Sequence, residues 1–203
     1  MLAFSEVEIA LANNLRVTSA NTAKFRARLK QLQRSGWPTG VNTGGTRPDY
    51  GAQQLLELAF VLELLECGVS PDRAVRLISA WWDSARKAFL IAGDQADQEI
   101  MIGFFQTRFT GLSLRDNQKD IGDIDEGAII FSITGAETPA QLSHLRQFLS
   151  APRYITINVS ELRRGLTRGL RVAGTESAFV WAQAEAWRLD KDNLGRSLDP
   201  RGN

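Results

Sequence analysis

The sequence predicts an α+β fold, and three observations carry that expectation. Apolar residues recur at spacings of three and four through most of residues 4–92, the period of helices that each bury one face. After Gly93 three stretches turn β-like, with Tyr154-Ile155-Thr156-Ile157-Asn158-Val159 the clearest alternation. Between Arg16 and Arg47 lie 32 residues with seven Lys or Arg and no Asp or Glu, in a chain whose 24 basic and 23 acidic residues leave a net charge of +1. A nearly neutral protein that clears acids from one stretch concentrates positive potential there, and such a patch attracts a polyanion, nucleic acid being the commonest.

The elements follow in order. Phe4 to Leu15 reads as a short helix. Ser19 or Asn21 can cap a second, because a short polar side chain accepts a free N–H of the first turn. That helix runs from Thr22 to Ser35 with Phe25, Leu29 and Leu32 as its apolar stripe, and Gly36 stops it. Two short helices, a tight joint and a basic second helix form a helix-turn-helix pattern. Thr39 to Tyr50, with Gly44-Gly45 at its centre, reads as a β-hairpin wing able to lie along a phosphate backbone. Gly51 to Glu66 is apolar nearly all round and belongs at the centre of the core. Ser70-Pro71-Asp72 opens a helix that reaches Ala92, with Val75, Ile78, Trp82, Ala85 and Phe89 on one stripe and Leu77, Trp81 and Ala88 on another. The second stripe suits packing against a twin subunit.

Residues 100–109, 127–134 and 154–159 are expected strands. Residues 115–126 are an expected loop, 138–149 a helix and 160–170 another. A last helix spans 175–189, and the polar end is expected to be frayed. The domain reading is 1–92 for a winged helix-turn-helix of about four helices, 93–173 for a small α+β unit serving dimerisation, sensing or partner binding, and 174–203 for a C-terminal helix and tail.

The first ninety residues resemble the DNA-binding domain of the MerR family of transcription regulators. Leu29-Lys30-Gln31-Leu32-Gln33-Arg34-Ser35-Gly36-Trp37-Pro38 is similar to that family's Leu-Arg-Tyr-Tyr-Glu-Arg-x-Gly-Leu, with Gln31 and Leu32 in place of the tyrosine pair. Thr43 to Tyr50 occupies the place of the family's wing. Leu64 to Val75 is similar to its joint between the last two helices. The resemblance implies a sequence-specific regulator of double-stranded DNA, acting as a homodimer, with a small-molecule or protein effector at the C-terminal part. On this reading Thr22, Lys24, Arg26 and Arg28 lie in or beside the major groove, and Asn21, Lys24 and Arg28 reach bases or phosphates near the helix start. Lys30 and Arg34 bind phosphate, while Arg47, Thr43 and Thr46 hold the backbone from the wing. The alternative is a non-regulatory DNA-binding scaffold of phage or nucleoid type, recruiting partners through the C-terminal part.

Other chemistries are poorly served. His144 is the one histidine, and no Gly-x-Ser-x-Gly or P-loop element exists. Cys67 stands alone, which excludes an internal disulfide and a thiol metal site. Asp116, Asp120, Asp123, Asp125 and Glu126 do not have the spacing of an EF-hand. Arg153, Arg163, Arg164, Arg168 and Arg171 dress the exposed side of a helix. The expectation is a cytoplasmic protein, not an enzyme, with no cofactor, no metal and no membrane span.

Overall fold

The computed structural model describes residues 1–41, 49–106, 126–133 and 154–196. Seven helices and a three-stranded sheet are found among them, so the α+β class holds. In chain order they are α1 (Phe4–Asn14), α2 (Thr22–Arg34), α3 (Ala52–Glu66), α4 (Pro71–Ala80), α5 (Trp82–Asp94), β1 (Glu99–Gln106), β2 (Glu126–Ile133), β3 (Tyr154–Asn158), α6 (Val159–Val172) and α7 (Ser177–Arg196). The chain divides into two compact units. One is Met1–Phe60 with Arg164–Asn203, and the other is Val61–Arg163. The sequence suggests boundaries near residues 92 and 173, whereas the observed division falls inside α3 and inside α6.

In the first unit α1 buries Val7, Glu8, Ala10 and Leu11, and α2 buries Phe25, Leu29 and Leu32. α3 is buried on nearly every side from Leu55 to Phe60. α6 crosses α1 very closely. A Cβ placed on Gly169 would lie 2.4 Å from the Ala10 carbonyl oxygen, and one on Gly165 would meet the Asn14 side chain. Any larger residue at 169 therefore meets backbone, which cannot rotate away. α7 adds Val180, Trp181 and Ala184 to the core. Trp181 Nε1 donates to Thr167 Oγ1 at 3.1 Å, and Gln183 Oε1 accepts the free Ala52 N–H at the start of α3 at 3.0 Å. The Thr175 hydroxyl donates to Glu6 Oε1 at 2.7 Å.

In the second unit the sheet order is β2-β1-β3, with both neighbours antiparallel to β1. The register sets Ile102 opposite Ile130 on one side and Ile157 on the other. Side chains alternate across a strand, so Ile100, Ile102, Phe104 and Ile157 share one buried face, and α5 lies against β1 and β2. The buried Ser160 hydroxyl accepts the Ile100 N–H at 2.9 Å and donates to the Gln98 carbonyl at 3.1 Å, tying the start of α6 to the start of β1.

Three element expectations need correction. The helix expected from Ser70 to Ala92 breaks at Trp81, which leaves helical geometry (φ −114°, ψ 24°) and separates α4 from α5. Trp81 and Trp82 are half-buried at this joint. Ser70 does hold the cap position of α4, but its backbone carbonyl, rather than its side chain, accepts from Arg73 and Ala74. Val159, read as the end of a strand, instead begins α6 and is fully buried. The expected helix 138–149, His144 and Arg153 lie outside the described residues, as do Asp116, Asp120, Asp123 and Asp125.

Candidate nucleic-acid interface

α2 sorts its side chains cleanly by polarity. At about 100° per residue, Phe25, Leu29 and Leu32 fall within one narrow sector. They are 8%, 1% and 2% exposed. The same rotation places Lys24 and Arg28 on one flank of that sector, and Arg26, Lys30 and Arg34 round the other side. All five cations are exposed, as are Asn21 and Thr22 at the helix start. Arg34 lies in the last turn, where a cation complements the negative end of the helix dipole.

The entry to α2 is fixed by Thr18 rather than by a side-chain cap. Residues Ser19–Asn21 form one 3₁₀ turn. Asn21 occupies the cap position without a capping side-chain bond; its Nδ2 instead donates to Thr18 Oγ1 at 3.1 Å, and the Thr22 hydroxyl reaches the Thr18 carbonyl at 3.4 Å. The exit is a Schellman closure: Trp37 N–H bonds the Leu32 carbonyl and Gly36 N–H the Gln33 carbonyl, both at 3.0 Å, with Gly36 at φ +86°.

Arg26 differs from the other cations. Its Nε donates to both carboxylate oxygens of Glu8, at 2.8 and 3.0 Å. Glu8 is 4% exposed, while the Arg26 side chain remains half-exposed. The hydrogen bond and then the charge of Glu8 push the Arg26 pKa further up. The pair ties α2 to α1, so part of the donor capacity expected to face DNA is committed inside the fold. A carboxylate at this place was not foreseen. Glu8 lies among Val7, Ala10 and Leu11 on the buried side of α1, and its partner stands 18 residues away on α2.

The segment expected to form the wing, with Thr43, Thr46 and Arg47, lies outside the described residues. The positions flanking it are firmly held. Thr39 N–H donates to Glu57 Oε2 at 2.8 Å, and Gln54 Nε2 donates to the Thr39 carbonyl at 3.2 Å. Tyr50 pairs backbone to backbone with Leu2, at 2.7 and 3.0 Å, and its fully buried ring stands 6.3 Å from that of Phe4. Gln33 Nε2 donates to the Tyr50 hydroxyl. Burial raises the Tyr50 pKa, against the lowering effect of Gln33. Glu57 is 3% exposed in the middle of α3 and was also missed. Burial pushes its carboxyl up, outweighing the hydrogen bonds from Gln53 and Thr39.

The second basic group is not uniform. Arg164, Arg168 and Arg171 are exposed along α6. Arg163 instead turns inward, with Nη1 donating to the Phe89 carbonyl at 3.1 Å and its guanidinium 4.8 Å from the Phe89 ring centre. Cys67 is exposed, and burial of its sulfur together with Glu63 and Glu66 raises its pKa, which disfavours the nucleophilic thiolate. Among the described residues no group of three or more His, Cys, Asp or Glu could hold a metal, and no helix is long and apolar enough to cross a membrane. No family model matches the chain, and no curated protein matches it.

Proposed function

We propose that this chain binds double-stranded DNA through α2 and acts as a MerR-like transcription regulator, working as a homodimer. One observation carries the reading. α2 turns Phe25, Leu29 and Leu32 into the core and leaves Lys24, Arg28, Lys30 and Arg34 exposed, within a stretch that contains no carboxylate. Lys24 and Arg28, with Asn21 and Thr22 near the helix start, are the residues to meet base edges; Lys30 and Arg34 meet phosphate. Arg26 positions the helix through Glu8. Thr43, Thr46 and Arg47 supply backbone contacts from the expected wing, and the C-terminal part takes an effector.

Fluorescence anisotropy with a random-sequence duplex tests binding, and selection of bound fragments from a genomic library tests sequence choice. With Lys30, Arg34 and Arg47 on phosphate in each of two protomers, the slope of log affinity against log salt is expected to be about −5. Enrichment of short, two-fold symmetric sites is the expected selection outcome. A chain that fails to bind duplex at low salt overturns the proposal.

A further inference from the structure

Four helices among the described residues end with the same pair of backbone hydrogen bonds. In α2, α3 and α6 the residue that must turn left-handed is Gly36, Gly68 or Gly174, at φ +86°, +82° and +80°. α1 closes in the same way, with Val17 N–H on the Ala12 carbonyl at 2.8 Å and Arg16 N–H on the Asn13 carbonyl at 3.1 Å. Its left-handed residue is Arg16, at φ +54°. A side chain in this conformation is strained by the clash of its Cβ with backbone, which glycine avoids.

The side chain kept at that cost is a cation. It is exposed and lies along an open groove beside Asn13, Val17 and Thr18. The two carboxylates of α1 are committed elsewhere: Glu6 to the Ala3 N–H and the Thr175 hydroxyl, and Glu8 to Arg26. The backbone that carries Arg16 is pre-set, because the α1 closure precedes it and Thr18 anchors the entry to α2 immediately after it. A rigid mount lowers the ordering cost of a charged contact.

We infer that Arg16 is a phosphate contact of the DNA interface, placed by the turn between α1 and α2 to grip the duplex backbone beside the start of α2. The inference rests on the DNA-binding reading of α2. It explains why a cation stands where the other three closures use glycine: the position trades stability for binding.

The variants R16G and R16K of the full chain, with R34A as a control, are compared on one random-sequence duplex across a salt series, with thermal unfolding alongside. R16G is expected to melt a few degrees above wild type, because glycine relieves the backbone. It is also expected to bind roughly three- to tenfold more weakly at low salt, with a slope shallower by about 0.9 per bound protomer. R16K keeps the slope. R16G with wild-type affinity and slope, while R34A binds worse, overturns the inference and leaves the reading of α2 intact. Absence of duplex binding by the wild-type chain overturns both.

Discussion

Arg26 Nε lies 2.8 Å from Glu8 Oε1 and 3.0 Å from Oε2, so a basic side chain of α2 is held by the carboxylate that α1 buries. Removing the guanidinium leaves that carboxylate without its partner, which is costly, whereas removing both charges is much less so. Arg26→Met therefore lowers the Tm by several degrees, Glu8→Gln lowers it less, and the double variant recovers part of the loss. In duplex titrations Arg26→Met changes the salt slope less than Arg34→Ala does. An equal change in slope assigns Arg26 to phosphate instead.

Gly169→Ala brings a Cβ to 2.4 Å from the Ala10 carbonyl oxygen and 2.8 Å from its Cα. Both atoms are backbone, so α1 and α6 must move apart. Destabilisation of about 1–3 kcal/mol in denaturant unfolding is the expected result. A variant as stable as wild type shows that the helices do not cross this closely.

Glu57 gives the stability a pH signature. Its folded pKa stands above the ordinary value of 4.5, so the fold favours the protonated carboxyl. The resulting stability is fully present below the ordinary value and is lost as pH rises through the raised one. Melting curves of wild type and Glu57→Gln between about pH 4 and pH 7 check the sign. The wild type should lose ground to the variant as pH rises; a gain shows that the ionised form is the one stabilised.

Trp37 is 6% exposed, and its Nε1 has no hydrogen-bond partner among the described residues. Its contribution is therefore packing. Trp37→Phe should cost less than about 1.5 kcal/mol, and Trp37→Ala about 3–5 kcal/mol. If the phenylalanine variant is as damaging as the alanine one, the indole N–H does have a partner.

Much of the helical framework was legible, because the spacing of Phe25, Leu29 and Leu32 and the stop at Gly36 are local signals and the core obeys them. The exposed cations of α2 were legible for the same reason: burial of the stripe decides what remains outside. The break at Trp81 was not, since neither glycine nor proline marks it. Nor were Glu8 and Glu57, because an acid inside an apolar helix reads as a surface residue until the partner is known. Arg26 and Thr39, the donors that tie them to other segments, stand 18 positions further along or back, beyond any helical period. The division of the chain was the least legible feature, resting on Gly169 against Ala10 and Gln183 against Ala52.

That division has a consequence for synthesis. Residues Val61–Arg163 are an insertion between the two segments that make up the other unit. When the first sixty residues leave the ribosome, the helix that packs its glycine onto Ala10 has not yet been translated. The basic N-terminal segment must wait for some hundred more residues before its own framework is whole. A fragment ending at residue 92 would be held permanently at that unfinished stage, and cooperative melting is not expected of it.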